Sequence, residues 1–414
     1  MKKKSIFSVL TSAMIFAAIP LYPISAARAA DINAEYRTPA EIKKYFEENP
    51  FELDSRNNFV VQPVFTTPYS IGSLDDASLQ NGLNALNFVR FTAGLSDVGL
   101  NSGYNELAQA AAFANSINGT LTHYPAKPAG MTDDLYKKAA EGASSSNLSY
   151  RLPAKNLAHI ITLGYMDDSD AGNISALGHR RWCLNPSMGE TGFGSAGYYS
   201  AMYAFDNSAD NAGITSVCWP ARNMPLEYFR SSGNSSPAWS VSVGQRLSAD
   251  DIKVTVTRKY DSRQWVFSST SADGDFYVDN GYYGEPGCII FRPDGISFES
   301  GDSFAVKISG TPEPIEYTVS FFSLDEVFAE TGTLGLGDVN YDNRVNASDS
   351  SLALAEYSRL STGRCGSFNS EQNRTADINF DGRIDASDAS EMLVYYSYSS
   401  TTSSPLSMAE WLKG

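Results

Sequence analysis

Twelve residues that occur twice near the C-terminus constrain this chain more than any other feature. They read Asp338-Val339-Asn340-Tyr341-Asp342-Asn343-Arg344-Val345-Asn346-Ala347-Ser348-Asp349 and, 39 residues later, Asp377-Ile378-Asn379-Phe380-Asp381-Gly382-Arg383-Ile384-Asp385-Ala386-Ser387-Asp388. Oxygen-bearing side chains fall at positions 1, 3, 5, 9 and 12 of both copies. Such spacing wraps a chain around one hard cation, and calcium takes about 6–8 oxygen ligands at roughly 2.3–2.6 Å. The candidate ligands are Asp338, Asn340, Asp342, Asn346 and Asp349 in the first copy, and Asp377, Asn379, Asp381, Asp385 and Asp388 in the second. Arg344 and Arg383, at position 7, offer a backbone carbonyl. A lone Asp-x-Asn-x-Asp also suits an ordinary turn. Two copies identical at positions 1, 3, 5, 7, 10, 11 and 12 instead specify two calcium ions.

Position 8 is apolar in both copies (Val345, Ile384), as in a loop anchored to a small core. Position 12 is Asp, where the standard EF-hand loop has Glu. An apolar-patterned segment follows each loop, through Leu352, Leu354 and Tyr357 and then Met392, Leu393 and Tyr396, and no amphipathic helix is evident before either. This duplicated half EF-hand resembles a type I dockerin, the module that joins cellulosomal proteins to scaffoldin cohesins, from about Gly337 to Tyr398. The resemblance implies a small all-α module with paired half EF-hands and two Ca2+. It also implies cohesin contacts at loop positions 10 and 11, which are Ala347-Ser348 and Ala386-Ser387. Because the pairs are identical, it implies binding in two orientations. Position 6 should be Gly and is Asn343 in the first loop; Asn tolerates a left-handed backbone better than most residues. The first loop has three acidic ligands and the second four, so the second is expected to bind calcium more tightly. A calcium titration that fills the first site first would refute this. The spacer between the loops is long and holds Cys365.

Residues 1–29 read as a secretory signal: Lys2, Lys3 and Lys4 precede a mostly apolar run from Ile6 to Leu21, and Ala27-Arg28-Ala29 is a small-x-small cleavage site. The run is short and broken by Pro20 and Pro23, which argues against a retained anchor. The expected location is therefore extracellular. A net charge of −16 over 414 residues disfavours nucleic acid and anionic membranes as partners. The four cysteines (183, 218, 288, 365) include no Cys-x-x-Cys; Cys183 and Cys218 either pair or remain buried thiols.

The length allows two to four domains. After an N-terminal extension (30–74) with a capping box at Thr38-Pro39-Ala40-Glu41, apolar residues recur at helical spacing through Leu79, Leu83, Leu86 and Val89. A second helix is predicted over Tyr104–Ile117, and a third should contain Asn156 to Gly164. His123 follows the second helix, Glu141 lies in Ala140-Glu141-Gly142, and His179 lies in Gly178-His179-Arg180, ahead of Asn185-Pro186 and Gly192-Phe193-Gly194. This order resembles the CAP (SCP-like extracellular) superfamily over residues 75–222. It implies an α-β-α sandwich whose cleft is lined by two His and two acids and in some members holds a divalent metal such as Zn2+. His123, His179 and Glu141 match the family set; the second acid is missing from its usual place, and Asp168, Asp167 or Asp170 stands in. Two imidazoles and carboxylates suit a zinc site, a general acid–base pair, or a network that holds the cleft together. His159, on the apolar face of Leu157, Ile160 and Ile161, reads as packing. Gly192 to Gly197 spells GxGxxG but precedes a strand, not a helix, so it is not a dinucleotide fingerprint. No GxSxG, HExxH or P-loop is present.

Short alternating runs over 223–330, punctuated by Gly, Asp and Pro, predict an Ig-like β-sandwich. A linker (331–336), the dockerin-like module (337–400) and a tail (401–414) follow. The chain thus reads as a multidomain α+β protein. The expected function is that of a secreted cellulosome subunit, docked through calcium to a scaffoldin cohesin, with a CAP-like domain whose binding role is unassigned and for which a cell-wall glycan or peptide is the candidate ligand. The alternative is a hydrolase of cell-wall polysaccharide or protein using the His/Glu cleft.

Overall fold

The computed structural model describes residues 30–210, 213–231, 236–327 and 335–412. The signal expected at 1–29 and residues 331–334 of the expected linker lie outside the described residues.

Helix α1 (Pro39–Glu48) starts at the capping box read from sequence: Thr38 Oγ1 accepts from Glu41 N at 3.2 Å and Glu41 Oε2 accepts from Thr38 N at 2.7 Å. A small hairpin, β1 (Phe59–Val61) with β2 (Ser73–Leu74), leads to α2 (Asp76–Thr92), capped by Asp75. Then come β3 (Gly99–Leu100), α3 (Ser102–Asn118), α4 (Asp133–Ser144), β4 (Ser146–Tyr150) and α5 (Leu157–Ile160), which runs into a π-helical turn, Ile161–Tyr165. Helix α6 (Gly178–Cys183) is followed by β5 (Glu190–Thr191), β6 (Phe193–Ala196) and β7 (Tyr199–Tyr203).

Strands β4, β7 and β6 form an antiparallel sheet in that order. Register puts Asn147, Met202 and Phe193 on one face and Leu148, Ala201 and Gly194 on the other. Leu148 and Ala201 pack with the alanine-rich face of α3 and with α4, while Phe193 and Met202 join the core built on α2 and α5. Helices therefore cover both faces. The glycines explain how close α3 lies: a Cβ on Gly192 would sit 2.2 Å from the Tyr104 carbonyl carbon, and one on Gly194 2.2 Å from Gln109 N. Gly197, at φ 60°, turns β6 into β7. The GxGxxG run is thus a helix-packing strand and its hairpin, as its context in the sequence indicated.

Among the described residues, nine strands build the next region. Strands β8 (Val217–Trp219), β10 (Trp239–Ser242), β13 (Gly274–Asp279) and β14 (Cys288–Pro293) form one sheet in the order β13-β14-β10-β8. The other sheet runs β12 (Gln264–Phe267), β11 (Lys253–Arg258), β15 (Ser303–Ser309), β16 (Ile315–Phe322), β9 (Asn223–Pro225). The sheets meet through aromatic rings, with Trp239 5.7 Å from Phe304 and 6.2 Å from Phe321 between centroids.

The boundary expected at 222/223 is corrected here. Val217–Trp219 already belongs to the second region as an edge strand of one sheet, and Ala30 bridges to Ile315 in the other, so the N-terminal extension is also tied to this region. One hydrophobic core also runs across both regions; Phe46, Phe51 and Phe88 of the first pack around Tyr228 of the second. Strands of three residues, one followed by Pro220 and the other ending in Pro225, carry no period for a sequence reading to detect.

The C-terminal module is α7 (Ala347–Ser361), α8 (Ser370–Ala376), α9 (Ala386–Thr401) and α10 (Met408–Trp411) around a small separate core. The tail folds back: Trp411 stacks on Tyr398 at 6.1 Å and Met408 is buried. A short helix that is not amphipathic precedes the second loop. Helix α8 is only seven residues, SEQNRTA, and has no apolar stripe, but Asn369 and Gln372 form a capping box that starts it. The long spacer seats the module on the β-sandwich. Cys365 N donates to Gly301 O at 2.7 Å, and Arg364 pairs with Glu299 at 2.6 Å while covering Tyr260.

Candidate functional site

Both twelve-residue loops close in the same way. Asp349, fully buried at position 12, accepts from Val339 N at 3.0 Å and Asn346 N at 2.9 Å; Asp388, also buried, accepts from Ile378 N and Asp385 N, each at 2.8 Å. Position 1 reaches forward to position 6, with Asp338 accepting from Asn343 N at 2.9 Å and Asp377 from Gly382 N at 3.0 Å. Asn340 and Asn379 each accept from the position-5 N–H, and Asp342 and Asp381 from the position-7 N–H. Asn346 and Asp385 cap α7 and α9. Asn343 adopts φ 60°, so the left-handed conformation tolerated by Asn is the one used.

Two features of the loops escaped the sequence reading. Position 4 is also left-handed, at Tyr341 (φ 65°) and Phe380 (φ 59°), a costly conformation for a bulky residue that a tight curl requires. Position 2, Val339 and Ile378, is buried in the module core beside Ile384 at position 8. Their apolar identity in both copies was the available signal.

The loops fit calcium. Asp338 Oδ1 is buried with no hydrogen-bond partner among the described residues. Burial raises the Asp338 carboxyl and pushes Asp349 up to about 6. A desolvated carboxylate cluster of this kind is stabilised by a cation among its oxygens. Ala347, Ser348, Ala386 and Ser387 are all exposed at the first turns of α7 and α9. Exposed Leu354, Tyr357 and Leu360 on α7, and Leu393, Val394 and Tyr396 on α9, continue each helix surface.

The N-terminal set does not converge as expected. His179 and Asp168 meet: Nδ1 lies 2.8 Å from Asp168 Oδ1, and His179 N donates to Oδ2 at 2.9 Å. Burial works to lower His179, but the hydrogen bond to and charge of Asp168 outweigh it, so the imidazole is held above its ordinary value. Tyr165, on the π-helical turn, stacks on the ring at 5.3 Å, and its hydroxyl donates to Asn147 O. Asn147 Nδ2 in turn donates to His179 O at 2.9 Å. His123 instead directs Nδ1 at Ala143 O, 2.8 Å away at the end of α4, and Glu141 is exposed on α4. Of the alternative acids, Asp167 is buried beside Ser231, and Asp170 caps Gly172 and Asn173. His123 and His179 thus have different partners, and nothing among the described residues of this region supports the zinc expectation. All four cysteines are free thiols; Cys183 faces Asn147 Nδ2 at 3.6 Å rather than Cys218.

Arg180 is the residue of this segment that sequence reasoning undervalued. It is fully buried and donates to Met166 O (2.7 Å), Asp167 O, Ala238 O (2.7 Å) and Ser240 Oγ (3.1 Å). Arg181 pairs with Asp279 at 2.5 Å and lies over Tyr283. The two arginines fasten the His179 helix to the β-sandwich.

Paired calcium loops, each leading into a helix with the same exposed pair at its start, define a calcium-binding docking module. Residues 336–395 match the family model described as "Dockerin type I domain", and the C-terminal module is a dockerin of this type. Such a module binds calcium and docks its bearer onto a cohesin of the cellulosomal scaffoldin. A search of curated proteins finds no match to the chain. Among the described residues no helix is long and apolar enough to cross a membrane.

Proposed function

We propose that the protein is an exported cellulosome subunit whose dockerin engages cohesin through either Ala347-Ser348 or Ala386-Ser387, and that the remainder of the chain serves a binding role. The observation that carries the docking reading is the equivalence of the two pairs. Each is exposed, each opens a long helix, and each follows a loop closed by a buried Asp. Export is supported by the Lys2–Lys4 cluster, the apolar run and Ala27-Arg28-Ala29. A CAP-like character for the N-terminal region is supported by helices on both faces of the three-stranded sheet and by the His179–Asp168 pair. Binding is favoured over hydrolysis because His123 and Glu141 are engaged or exposed elsewhere, leaving a lone imidazole–carboxylate pair.

The test replaces Ala347 and Ser348 with Glu, Ala386 and Ser387 with Glu, and all four together. Either single pair should leave capture by immobilised cohesin within about tenfold of the parent, because the other orientation remains. The fourfold change should remove capture. Loss with one pair alone would overturn the two-orientation reading; capture by the fourfold variant would overturn docking at these residues.

A further inference from the structure

Two cavities, of about 410 and 540 Å3, lie on either side of the Leu152–Lys155 loop that follows β4, and share Pro153 and Lys155 as lining. Arg151, Lys155 and Arg230 line the first, with Arg56 and Lys155 in the second. Among the described residues none of these four cations forms an ion pair, although the whole chain carries a net charge of −16. A surface acidic overall repels anions. Arg56, Arg151, Lys155 and Arg230 therefore gather positive charge beside these two adjoining cavities, a local exception to the net negative charge of the chain.

The wall of the smaller cavity carries a second feature. His159, one of three histidines, lines the smaller cavity, and its Nδ1 is buried with no hydrogen-bond partner among the described residues. A buried nitrogen without a partner is a small standing penalty in the wall of the cavity. Burial, then Lys155 and Arg151, hold the ring below its ordinary value, with Asp54 opposing, so it sits neutral beside the cations. The π-helical turn that begins two residues later brings Gly164 under the Arg151 guanidinium, which a Cβ there would meet at 3.4 Å. In the second cavity the rings of Phe65 and Tyr198 are about half exposed, at 43% and 47%. Flat exposed rings beside guanidinium groups suit a ligand with both a broad apolar face and carboxylates.

We infer that this groove binds an acidic oligosaccharide, a chain of uronic-acid residues whose carboxylates meet Arg151, Lys155 and Arg230 while a sugar face lies on Tyr198. This deepens the binding role proposed above and rests on it. Bidentate Arg–carboxylate contacts supply the strongest polar terms, and the spread of cations over two cavities calls for a repeating anion rather than a single one.

The test uses the full mature chain and affinity electrophoresis or calorimetry, with oligogalacturonate as probe, a cello-oligosaccharide as the uncharged comparison and inorganic phosphate as competitor. Oligogalacturonate should bind and the neutral chain should not, with affinity falling at least about tenfold between low and high salt. The double variant Arg151→Ala/Lys155→Ala should lose about tenfold or more, as expected for hydrogen bonds to charged groups, while Lys155→Arg should retain binding. Circular dichroism and cohesin capture should be unchanged in both variants, which separates failure of this site from failure of docking. Absence of oligogalacturonate binding, equal binding of the neutral chain, full binding by the double variant, or displacement by phosphate at equal concentration would each overturn the assignment.

Discussion

Replacing Asp342 and Asp381 with alanine is expected to reduce capture by cohesin at least about a hundredfold, and chelating calcium from the parent protein to do the same. Both residues are exposed at position 5 of their loops, so their loss leaves no cavity in the core. Each removes one anionic ligand and the acceptor of one turn-forming bond, from Arg344 N at 2.8 Å or Arg383 N at 2.9 Å. Three of the other carboxylates, Asp338, Asp349 and Asp388, are poorly hydrated, being nearly or wholly buried. A cation offsets that desolvation, and at about a thousandfold above its dissociation constant it stabilises the folded module by roughly 4 kcal/mol. The pH dependence has a definite sign. Burial raises Asp349 to about 6, so without calcium the folded loop binds its proton more tightly than the unfolded chain does. Stability of the calcium-free module should therefore fall as pH rises from about 4 to 6. Calcium binding, which needs the deprotonated oxygens, should strengthen over the same range. Thermal melts of the protein with and without calcium at both ends of this window read the effect directly. Unchanged capture by the double variant would remove calcium from the docking mechanism.

The second large effect concerns Arg180. Arg180→Ala should cost about 3–5 kcal/mol of stability, read as a lower midpoint in urea unfolding. Burial lowers this guanidinium to about 10, so it is still a cation at neutral pH, held by carbonyls of two different regions of the chain. Truncation leaves Met166 O, Asp167 O and Ala238 O without their donor in a dry environment, and each unsatisfied group carries a penalty of about 1–3 kcal/mol. Arg180→Lys should recover little, because one ammonium cannot reproduce a planar fork that reaches four acceptors. A cost below about 1 kcal/mol for Arg180→Ala would show that the carbonyls find other partners, and that the arginine is not what joins the two regions.

The calcium loops were legible because their geometry is local. Every ligand lies within twelve residues of its partners, and the backbone left-handedness at Asn343 follows from residue type. Helices α2 and α3 were legible for the same reason, through apolar residues at i, i+3 and i+4. Helix α8 was not, since two polar turns carry no stripe and only its Asn369–Gln372 capping box marks it. The N-terminal site was legible in part. Among three candidate acids, sequence could not choose the partner of His179, and only the turn after the π-helix, with Asp168 itself at φ 46°, aims that carboxylate at the ring. Glu141 resembled a site residue by its order in the chain, yet α4 presents it to solvent.

The repeated loops by themselves determined a calcium-binding docking module, because coordination by a short loop is fixed by residue type and spacing. Tertiary structure decided what that module is attached to and how. Residues far apart in the chain made those choices: Ala30 with Ile315, Arg180 with Ala238, and Arg364 with Glu299. Such contacts depend on which surfaces meet once the chain is folded, and no period or motif in a single sequence records them. The Arg151–Lys155 groove is of the same kind, since its cations come from separate segments and become one site only where those segments converge.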